Sequence, residues 1–166
     1  MPRLLLILLL LAMLPRAHAQ RASQASQSLN VGDIPFDPSL DDPNFHLNDS
    51  TRVFQYYNSS SWWLDHKDTY RDLFKTVSNH SPNPTQNGWL TIRFIINAAG
   101  QTGRFRILEM DSNYQSFHFD PRVTRELVSI ISQATWQPAH FHGRTYDTYQ
   151  YITFHFEQGR ILDITP

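Results

Sequence analysis

Eight histidines stand in a chain of 166 residues that has no cysteine, so imidazole is the first chemistry to weigh. His140 and His142 form the closest pair, and two imidazoles one residue apart can share a divalent metal. No acidic residue stands within three positions of either one. His118 and His155 could complete a site only if the fold carried them to the same place. The pair therefore reads as exposed loop histidines, and no metal or cofactor is assigned. Hydrolytic chemistry finds no frame either, because there is no Gly-x-Ser-x-Gly elbow and no His-Glu-x-x-His pair. Glu109, Asp111, Asp120 and Glu126 fall where caps and surface groups are expected. The chain reads as a binding protein and not as an enzyme.

Arginine and aromatic residues offer a different chemistry. Every basic residue from Gly88 onward is Arg. Arg93, Arg104 and Arg106 lie in strand-like runs and can share one sheet face if the registers allow. Tyr149, Tyr151 and His155 alternate on a third run and would join them. Arg and Tyr are enriched at binding hot spots. A net charge of -1 argues against a nucleic-acid partner, which needs phosphate neutralisation.

The elements that must position these residues can be read from period and punctuation. Asp65 to Asn79 has helical spacing at Leu64, Tyr70, Leu73, Phe74 and Val77, and the Pro82 and Pro84 region ends it. Trp89 to Asn97 alternates as a strand, and Ala98 to Gln101 turns. Gly103 to Met110 returns as its antiparallel partner. Asp120-Pro121 is an N-cap followed by Pro at the first helical position. Val123, Leu127, Ile130, Ile131 and Ala134 give that helix an apolar stripe. Tyr146 to Glu157 is a long alternating strand. The expected fold is α+β: a three-stranded antiparallel sheet in β-β-α-β order, with one helix on a face. An additional helix (62–87) and a flexible amino-terminal arm (20–61) precede the domain (88–166). The arm is rich in Gln, Ser, Asn, Asp and Pro. It also holds Val53, Phe54, Tyr56, Tyr57, Trp62 and Trp63, so part of it should pack on the domain.

The first residues look like a secretory signal. Met-Pro-Arg precedes an apolar run from Leu4 to Leu14, and Ala17-His18-Ala19 is a small-x-small box, which places the cut after Ala19. A membrane span needs about 20 apolar residues, and this run supplies roughly half of that. The mature chain is expected to be exported, with no membrane span.

Gly88 to Pro166 resembles the carboxy-terminal domain of the TonB family. The matching residues are Gly88, Arg93-Phe94, Asn97 and Gly100, then Asp120-Pro121, Trp136-Gln137-Pro138-Ala139, Gly143-Arg144 and the Ile152-x-Phe154 strand. The chain departs from that family in lacking a membrane helix and a Pro-rich spacer, and in having Gln150 where an aliphatic residue is usual. The resemblance implies a periplasmic module that captures an extended partner segment by strand addition beside the last strand. The partner would be a protein, with an outer-membrane protein or its peptide segment as candidate, linked to transport. Carried onto this sequence, the partner-binding residues are Arg144, Thr145, Tyr146, Asp147, Thr148, Tyr149, Gln150 and Tyr151. The alternative is an assembly role in which that edge is covered by the chain's own arm or by a second copy, as in a homodimer. Val53 to Tyr57 and Trp62-Trp63 are the candidates for such a cover.

Overall fold

The computed structural model describes residues 33–55, 62–77 and 85–166. The expected signal segment 1–19, its cut after Ala19, and arm residues 20–32 and 56–61 lie outside the described residues. In chain order the elements are β1 (Phe54–Gln55), α1 (Trp62–Val77), β2 (Gly88–Ile96), β3 (Thr102–Met110), α2 (Pro121–Gln133), β4 (Ala139–Phe141), β5 (Arg144–Tyr146), β6 (Thr148–Glu157) and β7 (Arg160–Thr165).

Alternation along β2 and β6 builds the core. Leu90, Ile92, Phe94 and Ile96 of β2 share a face with Ile152, Phe154 and Phe156 of β6, and all seven are essentially inaccessible to solvent. Burying a side chain of this size contributes roughly 1.5–3 kcal/mol relative to leaving it in water. Val123, Leu127 and Ile131 line the face of α2 that covers this layer, at the spacing of helical turns. Asp120 caps α2 through Arg122 N–H at 2.9 Å, and Pro121 opens it. The Arg122 side chain, bonded to the same carboxylate, lowers the Asp120 pKa to about 2. Trp136 ends the helical layer with its indole N–H donating to the Ile131 carbonyl at 2.9 Å.

The α+β class is as expected, but the sheet is mixed and five-stranded. β2 lies between β3 and β6, antiparallel to both, while β7 runs antiparallel to β6 and β1 runs parallel to it. β7 follows a two-residue turn at Gln158 and Gly159, both with positive φ. Ile-Leu-Asp-Ile lacks the strict alternation of β6 and gives no strand signal in the sequence. Ile161 and Ile164 nevertheless reach the core. β4 and β5 form a separate two-stranded hairpin.

Helix α1 belongs to the same core through Tyr70, Leu73 and Val77. Gln150 explains how it is held. It is 2% exposed on the core face of β6, and its amide donates to the Tyr70 hydroxyl and to the Tyr151 carbonyl. A buried amide left without a partner costs about 1–3 kcal/mol. This buried polar residue thus fixes where α1 docks. A double-mutant cycle of Gln150→Leu and Tyr70→Phe, followed by urea unfolding, should give a coupling of about 1 kcal/mol. Additive losses would show that the pair does not set the docking.

Candidate functional site

Residues 34–55 are part of the unit that runs from Ile34 to Pro166, and they wrap the end of the sheet where β2 turns into β3. Starting at β3, Ile34 is buried at 1% exposure. The Ile34 and Pro35 carbonyls accept from Arg104 Nη1 at 3.1 Å and Arg106 Nη2 at 2.8 Å. Asp41 grips Arg106 through both oxygens, at 2.7 and 2.8 Å. Its side chain is 1% exposed and that of Arg106 is 18% exposed. The guanidinium holds the Asp41 carboxyl below its ordinary pKa, and the Arg106 pKa is raised in return.

Farther along, the Phe45 ring lies flat over Gly103, where a Cβ would come within 2.4 Å of it. Only glycine admits this approach. Asn97 then donates to the His46 carbonyl at 3.0 Å. Its own oxygen accepts from Ala99 and Gln101 N–H at 3.0 and 2.9 Å, so one buried amide shapes the turn and holds the arm. Asp147 does the same at β6. It is 1% exposed, and its carboxylate accepts from Asp49 N–H at 2.9 Å and Ala98 N–H at 2.8 Å. Its carbonyl accepts from Phe54 N–H at 2.9 Å. β1 then pairs with β6, Phe54 opposite Thr148 and Gln55 opposite Tyr149. Phe54 packs edge-on against Tyr146 with ring centroids 4.6 Å apart.

The sheet register brings the expected Arg and aromatic residues together. Arg93 stands opposite Arg106 on one side and Tyr151 on the other, and Trp89 stands opposite His155. A bulge places both Arg104 and Phe105 opposite Phe94. Between the Arg93–Arg106 and Ile95–Gly103 pairs, β2 has one residue, Phe94, and β3 has two, Arg104 and Phe105. Phe105 packs against the core, and Arg104 reaches the Ile34 carbonyl of the arm. At the other end of the face, Trp89 stacks between Tyr114 and His155 at centroid distances of 4.7 and 5.3 Å.

The eight residues expected to receive a partner fall in three places. Arg144, Thr145 and Tyr146 form β5, paired with β4 and not with the main sheet. Asp147 is the buried clasp. Thr148, Tyr149, Gln150 and Tyr151 open β6. β6 is not the free edge that was expected. On the side away from β2, Thr148 and Tyr149 pair with β1, and residues from Thr153 onward pair with β7. The covering segment lies within Val53 to Tyr57, one of the two segments singled out for that role. Trp62 begins α1; the surroundings of the Trp62 and Trp63 side chains lie outside the described residues.

The histidines occupy separate settings. His140 and His142 are exposed on the β4–β5 hairpin, His118 sits 3.2 Å from Glu109, and His155 lies against Trp89. Among the described residues, no group of three or more His, Asp or Glu side chains is placed to hold a metal ion. No helix among them is long and apolar enough to cross a membrane.

Asp41, Phe45 and the clasp role of Asp147 were missed in the sequence. Phe36-Asp37-Pro38 and Asp42-Pro43 signal turns, which they form, but a local turn signal says nothing about a distant arginine. No family model matches the chain, and no curated protein or solved structure does.

Proposed function

We propose that the chain is an exported, periplasmic TonB-like binding module that recognises an extended segment of a partner protein by strand addition at β6, with a role in outer-membrane transport. In the resting molecule, the arm stands in for that segment. The observation that carries this reading is β1. An extended piece of chain already lies on Thr148 and Tyr149, two of the residues expected to take a partner strand, and among the described residues Phe54 and Gln55 pair there. Parallel pairing is slightly less stable per residue than antiparallel pairing. A partner segment that pairs antiparallel with β6 would compete with the arm for this edge.

The absence of cysteine makes a direct test available. Gln55 and Tyr149 are paired, so Gln55→Cys/Tyr149→Cys should form a disulfide that locks the arm. Partner capture from envelope extract, quantified by mass spectrometry, should fall at least tenfold when the pair is oxidised and return on reduction. Equal capture in both states would place any partner elsewhere.

One observation favours the assembly reading. Asp41 and Asp147 tie the arm through buried carboxylates, and such ties suit a permanent cover. In that case, the edge is protected against pairing with other chains.

A further inference from the structure

Resting on the strand-addition reading, we propose that the arginine pair under the arm, Arg104 and Arg106, is the specificity site for the partner segment, which is an acidic extended peptide with an aliphatic anchor. Residues Ile34 to Asp41 are its resident ligand. They show what the site reads. Ile34 fills the buried anchor position, two consecutive backbone carbonyls take one N–H from each arginine, and a carboxylate seven positions on accepts from both terminal nitrogens of Arg106. Pro35 has no N–H, so this stretch cannot complete a strand ladder. Its carbonyls are left to the two guanidinium groups.

Two features of Arg104 point to a ligand other than the arm. Its Nε–H is buried and meets no acceptor among the described residues. The arm therefore satisfies this arginine incompletely. Beyond the Ile34 carbonyl it faces the Phe36 ring, 5.7 Å away and 47% exposed, and its charge helps to lower the Asp41 pKa. Moreover, Arg104 holds φ +54 at the bulge, in the left-handed region where glycine is the low-cost residue. A long cationic side chain stands where the backbone asks for none, so the position's use is its guanidinium. A peptide with a carboxylate placed against this N–H would supply the missing acceptor and outcompete the arm, because charge-assisted bonds are the stronger ones.

The test uses the full chain and a fluorescent synthetic peptide of the sequence from Ile34 to Phe45, with binding read by anisotropy. Gly103→Ala pushes a methyl into the Phe45 ring and loosens the arm while leaving a strand residue in place. Where hydrogen exchange shows the arm still protected, Asp41→Ala is the loosened chain. The loosened chain should bind the peptide at least tenfold more tightly than the native chain. Replacing Ser39 of the peptide by Glu tests an added carboxylate beside Asp37, Asp41 and Asp42. Adding Arg104→Gly, which relieves the backbone, should abolish any gain from that carboxylate. Adding Arg106→Ala should weaken the peptide at least tenfold, as should Asp41→Ala within the peptide. Failure of a loosened chain to bind, or binding indifferent to Arg106 and Asp41, would overturn the inference. The disulfide lock reports on β6 alone, so either idea can fail without the other.

Discussion

Asp147→Ala should lower the unfolding free energy by about 2–4 kcal/mol, because two backbone N–H groups lose their acceptor at once and each costs roughly 1–3 kcal/mol when left unpaired. Those groups belong to Asp49 in the arm and Ala98 in the β2–β3 turn. The loss should appear as a lower urea midpoint with an unchanged slope if the whole unit still unfolds together. Asp147→Asn keeps one carbonyl acceptor and sets an NH2 against the other N–H. It should therefore recover less than half of the loss. A change below about 0.5 kcal/mol for Asp147→Ala, the range of ordinary surface substitutions, would remove Asp147 from the account.

The second large effect is at Asp41. Breaking a buried ion pair by removing one partner typically costs 3–5 kcal/mol. Arg106 keeps the Pro35 and Phe105 carbonyls, so Asp41→Ala should cost about 3 kcal/mol, near the low end of that range. The effect should be strongest in the arm, and limited proteolysis should cut between Asp33 and Gln55 before the core opens. Acid should act in the same way. The folded Asp41 pKa is lowered from its ordinary 3.8, chiefly by the Arg106 bond. The contribution is complete above the unfolded value and is lost as pH falls through the lowered folded value. Arm release should therefore begin below about pH 4, and Asp41→Ala should remove that part of the acid response. An arm that stays protected in the Asp41→Ala chain would contradict the pairing.

How much of this was legible in the sequence depends on the range of the signal. The β2–β3 hairpin, α2 and β6 were read to within a few residues, because period and caps are local. The facing of Arg93, Arg106, Tyr149, Tyr151 and His155 followed from alternation once the register was set. Alternation also groups Arg104 with Arg106; what it hides is the bulge that sets Gly103 opposite Ile95. β7 was missed because Ile161 and Ile164 are three apart and not two, the mark of a second irregularity against His155 and Phe156. The arm was the hardest part. Its order comes from Asp41 meeting Arg106 and from Asp49 meeting Asp147, 65 and 98 residues apart. Composition rich in Ser, Gln and Pro argued for a linker, and a few long-range bonds outweigh it.

The central claim is that the arm is a displaceable occupant of the binding surface, and native-state hydrogen exchange measures that directly. The Phe54 and Asp49 amides, both bonded to Asp147, should exchange through an opening that costs less than global unfolding by at least about 2 kcal/mol, with the β2 and β6 core amides still protected. If those arm amides exchange only with the whole domain, at the same free energy as Ile92 and Ile152, the arm is a permanent wall and the displacement account is wrong.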